Sequence, residues 1–135
     1  MQHKYFSFFL ITVFLILFTA LSSCSDNEND ISGPSITIIQ PVANDTLHST
    51  GHSVTVEVKS AGKVNIDEME MTVKSQSGTV LFTYEQYSIG KQSYTCIESF
   101  VPHDITEVTK VTLNVKSTNE LKAWNKKSIN FYLMP

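Results

Sequence analysis

The feature that most restricts this chain is a two-residue alternation of apolar and polar side chains, repeated from Ser35 to the C-terminus. His52–Lys59 shows it most clearly: Val54, Val56 and Val58 occupy one parity, and Ser53, Thr55, Glu57 and Lys59 the other. Successive side chains of a strand point to opposite faces, so such a segment buries one face and wets the other. The same parity links Ile36 with Ile38, Met69 with Met71 and Val73, and Val80 with Phe82 and Tyr84. It returns in Val111, Leu113 and Val115, and again in Ile129, Phe131 and Leu133. Residues 93–101 are also apolar-rich, but on both faces, with Tyr94, Cys96 and Phe100 on one and Ile97 and Val101 on the other. Pro41, Gln76-Ser77-Gly78 and Ser88-Ile89-Gly90-Lys91 break the runs with turn chemistry. No stretch holds a helical period. Seven short strands with one apolar face each predict an all-β fold, a seven-strand antiparallel β-sandwich.

The N-terminus obeys a different rule. Met1-Gln2-His3-Lys4 is short and basic, Tyr5 to Leu21 is almost wholly apolar, and Leu21-Ser22-Ser23-Cys24 brings small residues before polarity takes over. This is the three-part layout of a secretory signal. A bilayer-spanning helix is the competing reading, but the apolar run is at the lower limit of length and acidic residues follow it, not Lys or Arg. The division expected is 1–23 as signal, 24–33 as tether and 34–135 as one domain.

Leu21-Ser22-Ser23-Cys24 resembles the lipobox of bacterial lipoproteins. The resemblance implies that the Cys24 thiol carries a diacylglycerol, that the signal is cut just before it, and that the new amine is acylated. Several acyl chains give the durable anchoring that one cannot. The run Ser25-Asp26-Asn27-Glu28-Asn29-Asp30 resembles the acidic export signal of Bacteroidota surface lipoproteins. That likeness implies an outer-membrane, surface-exposed address with Asp26, Glu28 and Asp30 as the signal; composition alone would make the segment a polar spacer. The stretch from about Ser35 to Met134 is similar to the immunoglobulin-like or fibronectin-III-like modules common in such proteins. The likeness rests on strands punctuated by Pro and Gly and on the Asn119–Lys127 loop before the last strand. It lacks the Cys pair and buried Trp of true immunoglobulin domains, and its third strand carries Met69 and Met71 instead.

The mature segment holds all 13 acids against nine of the ten lysines and no arginine, a formal charge of about −4. A chain without guanidinium groups is poorly equipped for phosphate or nucleic-acid recognition, so no nucleic-acid partner is expected. If Cys24 bears lipid, Cys96 has no disulfide partner.

Several residues invite chemistry. Asp45, His48 and His52 fall in one predicted loop and His103, Asp104 and Glu107 in another at the same end of the sandwich. Their spacing matches no recognised metal-ligand pattern, so neither metal nor cofactor is expected. Cys96 and His103 have no third residue to orient them, and a lone strand cysteine is more often a small buried hydrophobe. Asp45-Thr46-Leu47 resembles the acceptor triplet of Bacteroidota O-glycosylation, which would place a glycan on Thr46 in an exposed loop.

Trp124, the single tryptophan, lies in Leu121-Lys122-Ala123-Trp124-Asn125-Lys126-Lys127. Two roles compete for it: a plug over the open end of the core, or a membrane or partner contact made with Lys122, Lys126 and Lys127. The expected function is a non-enzymatic binding module for a protein or glycan, present as a monomer or within an envelope complex; a structural accessory subunit of a surface assembly is the alternative. Cys24→Ala is expected to leave an uncleaved or mis-cleaved precursor that no longer partitions into detergent on phase separation. Unchanged partitioning would place the anchor elsewhere.

Overall fold

A computed structural model describes residues 32–48, 51–103 and 105–135. Cys24, Asp26, Glu28, Asp30 and the signal segment lie outside the described residues. Eight strands form two sheets: β1 (Ser35–Gln40), β2 (Thr46–His48), β3 (His52–Lys59), β4 (Ile66–Ser75), β5 (Val80–Gln86), β6 (Ser93–Phe100), β7 (Thr109–Asn119) and β8 (Trp124–Met134). One sheet has the order β1-β3-β6, the other β2-β8-β7-β4-β5. The sandwich is as the alternation predicts.

The strand count and the uniform antiparallel pairing are not. The eighth element is β2, three residues that pair in parallel with Tyr132–Met134 of β8. After β1 the chain turns at Pro41, and Asn44 N–H bonds the Asn130 carbonyl at 2.7 Å, so the strand passes from one sheet to the other. Three residues with one apolar member, Leu47, cannot display a period, and the partner lies more than eighty residues away. The fifth strand, β5, pairs with β4 in the larger sheet.

The core lies between the sheets. Val54, Val56 and Val58 of β3 face Met69, Met71 and Val73 of β4, Val111, Leu113 and Val115 of β7, and Phe131 and Leu133 of β8, all fully buried. Each such side chain contributes about 1.5–3 kcal/mol over leaving it wet. The ambiguous β6 is resolved: Cys96 and Phe100 point inward, while Ile97 is 66% exposed.

One end of the sandwich, where residue 32 enters, is organised by a buried polar side chain. Asn119 sits at the end of β7 with no solvent contact. Its Oδ1 accepts from Ala123 N–H (3.0 Å), its Nδ2 donates to the Ser32 carbonyl (3.1 Å), and its own backbone closes the 120–123 turn. Gly33 lies beside it, and a Cβ there would collide with the Trp124 backbone carbonyl. The chain therefore enters the domain against the start of β8.

Asn119→Ala removes both of these part-buried side-chain bonds from a fully buried position. It is expected to cost about 2 kcal/mol in urea unfolding, whereas Asn130→Ala on the solvated face is expected to cost under about 0.5 kcal/mol.

Candidate functional site

β7 lies between β4 and β8, and one parity of each strand faces the core, so the other parity forms a continuous outer face. On β8 this parity is Trp124, Lys126, Ser128, Asn130 and Tyr132. On β7 it is Lys110, Thr112, Asn114, Lys116 and Thr118, and on β4 Glu68, Glu70, Thr72 and Lys74. Lys126 pairs with Lys116, and Lys116 with Glu70, which in turn pairs with Glu85 of β5. The face has no aliphatic side chain among these positions. It carries a shallow depression of about 290 Å³ lined by Glu70, Thr72, Lys74, Asn114, Lys116 and Lys126.

The polar groups of this face are ordered. Lys116 Nζ donates to Glu70 Oε1 at 2.9 Å, which raises the lysine pKa above its ordinary value. Ser128 Oγ donates to Asn114 Oδ1 and Thr112 Oγ1 to Asn130 Oδ1, both at 2.8 Å. Each hydroxyl donates to an amide oxygen, and the amide N–H₂ groups add donors to this face. β7 and β8 thus present donors, while Glu70 and Glu85 put acceptors on the β4–β5 side.

Trp124 is 61% exposed and is not a core plug. Its Cβ parity turns it to the outer face, where Thr118 is its cross-strand neighbour. The seven-residue Trp and Lys cluster seen in the sequence is not one patch. Trp124 and Lys126 share the outer face, whereas Lys127, opposite the buried Val115, has the other parity. Lys122 Nζ lies 2.6 Å from Asp67 Oδ2, so its charge is locally matched. Its φ of 65° belongs to the turn that Asn119 closes.

The other candidates are dispersed. Thr46 is exposed, but on β2 and not in a loop. Asp45 and His52 line one small depression of about 240 Å³, and His103 lines another of about 450 Å³ with Ser75, Ser77 and Thr79. His48 and Glu107 are exposed, and Asp104 lies outside the described residues. Among the described residues no three His, Cys, Asp or Glu side chains come close enough to hold a metal ion. Cys96 is 2% exposed, and burial pushes its thiol pKa up, away from the thiolate that nucleophilic chemistry needs. Near it, the Tyr84 and Tyr94 hydroxyls lie 3.2 Å apart. In the sequence the residues of this face show only as the polar parity of separate strands, and cross-strand register brings them together.

No family model matches the chain, and no curated protein matches it. Among solved structures, a crystal structure of an engineered protein shares the fold, with a TM-score of 0.54 and 19% identity over 76% of this chain. This chain spans about 20% of that protein's length. CopC from Methylosinus trichosporium OB3b superposes with a TM-score of 0.49 and 8% identity, covering 75% of this chain and 95% of that one. The first likeness is one of fold alone.

His52 provides a pH test of the core margin. Its Nε2 is buried without a hydrogen-bond partner, and its ring packs edge-on against Phe100 at 6.2 Å. Burial first, then the neighbouring His48, lowers its pKa below 6.5. The unfolded chain therefore binds the proton more readily; stability is complete above 6.5 and is lost as pH falls through the lower folded value. The melting temperature is expected to drop between about pH 7.5 and about pH 5, and His52→Gln to flatten that drop. Equal slopes for the two proteins would assign the dependence to other groups.

Proposed function

We propose that this chain is a lipid-anchored lipoprotein of the outer membrane, exposed at the cell surface, whose immunoglobulin-like domain is a non-enzymatic binding module for a protein or glycan. The strand order supports the immunoglobulin-like reading. β1, β3 and β6 correspond to one sheet of such a domain, and β8, β7, β4 and β5 to the other with its additional edge strand. The observation that carries the binding role is the ordered, polar outer face of the larger sheet. Its strands run from the end where residue 32 enters toward the far loops. A domain tethered at that end would hold this face side-on to the membrane, open to partners arriving from the medium.

A structural accessory role would draw on the open edge of β6, eight residues long. That edge carries Glu98 opposite the buried Val54, on the inward parity. An inward-pointing charge on an edge strand discourages pairing with another chain, which favours the binding module.

The test uses intact cells. Replacing Asp26, Glu28 and Asp30 with alanine is expected to preserve lipidation and to reduce digestion by added protease. Crosslinking of the wild type from its lysines is expected to capture a discrete partner. Equal digestion of mutant and wild type would reduce the acidic run to a spacer, and the absence of crosslinked partners would remove the binding role.

A further inference from the structure

We propose that the outer face of the five-stranded sheet binds an acidic, carboxylate-bearing polysaccharide. This rests on the reading of the chain as a binding module and not on its cellular address.

The first argument is the placement of charge. The whole chain has a formal charge of −3, yet three of its ten lysines line one depression with a single carboxylate. Lys116 and Lys126 stand directly opposite each other on adjacent strands. Like charges in that position oppose pairing of the strands. Glu70 offsets only one of them, through Lys116. A ligand carboxylate seated between the two ammonium groups would relieve the remaining repulsion.

The second argument is donor geometry. The Asn114 and Asn130 oxygens are taken by Ser128 and Thr112, so the amide N–H₂ groups join the lysines in offering donors. Glu70 and Glu85 offer acceptors along the same cross-strand row through their second oxygens, since Lys116 holds Glu70 Oε1 and the Tyr87 hydroxyl donates to Glu85 Oε2. A ligand matched to this face carries acidic groups for the β7–β8 side and hydroxyl donors for the β4–β5 side. An acidic saccharide has both. Trp124 lies two residues from Lys126 on the same parity, about 7 Å along the strand. Its exposed ring supplies a flat apolar surface for the C–H face of a sugar ring.

An anionic membrane is the competing occupant. It would meet the end of the sandwich where the chain enters, not a face running along the strands. On this face the exposed apolar side chains, Trp124 on β8 and Val80 on β5, stand on strands separated by β7 and β4 and form no continuous surface to insert into lipid.

The full-length protein in detergent is titrated with an oligogalacturonate, with an oligoalginate, and with the methyl-esterified galacturonate, which keeps the hydroxyls and loses the charge. Fluorescence of Trp124, the single tryptophan, reports binding. At least one acid oligomer is expected to change the emission saturably, with affinity falling as salt rises and with the ester at least about tenfold weaker. Lys116→Gln combined with Lys126→Gln is expected to weaken binding by at least about tenfold. Its melting temperature should stay close to that of the wild type, because relief of the Lys116–Lys126 repulsion offsets loss of the exposed Lys116–Glu70 pair. Lys59→Gln, on the other sheet, should bind as wild type. Lack of response to both acid oligomers, equal affinity for acid and ester, or binding that survives the double variant overturns the proposal. So does phosphatidylglycerol-vesicle binding that the double variant abolishes in a protein indifferent to both oligomers.

Discussion

The structure depends on the register of β7, held between β4 and β8. Every second residue, Val111, Leu113 and Val115, is sealed against the opposing sheet, so the intervening Thr112, Asn114 and Lys116 must face water. A slip of one residue on either side would drive a lysine into the core and expose a valine, a cost no surface contact could offset. The same register aligns Lys126, Lys116, Glu70 and Glu85 in a single row. The core and the polar face are two consequences of one pairing.

The second organising element is local. Asn119 replaces a hydrophobic core position with a side chain that both closes the last turn and grips the Ser32 carbonyl. Buried amides are stable only when their polar atoms are matched, and here the matching groups belong to two distant parts of the chain. Gly33 permits that approach, since any side chain would strike the Trp124 backbone. The point at which the N-terminal segment meets the domain is therefore fixed relative to β8 and to the outer face that β8 borders.

Polar groups near the core carry little chemistry. Burial raises the Cys96 thiol pKa and lowers that of His52, in both cases favouring the neutral form. The tyrosine pair beside Cys96 bridges the gap between β5 of one sheet and β6 of the other, hydroxyl to hydroxyl. Such contacts match polar atoms at the margin of a small core, where sheet edges cannot be covered by aliphatic side chains alone.

The sequence by itself determined which residues are buried on most strands, because a period of two is a property of the local backbone and needs no partner to be visible. It showed the turns, the shortage of helix and the polar parity from which the outer face is built. Tertiary structure decided everything that depends on who pairs with whom. It made Thr46–His48 a strand, because that segment acquires its hydrogen bonds only from β8. It turned Ile97 rather than Cys96 to solvent, because two apolar parities cannot both be buried at a sheet edge. It divided Trp124 and Lys126 from Lys127, which are neighbours in the chain but lie on opposite faces of a strand. Lys116, Lys126 and Lys74, spread over three strands, became one cluster only through cross-strand register, a long-range quantity that local sequence does not encode.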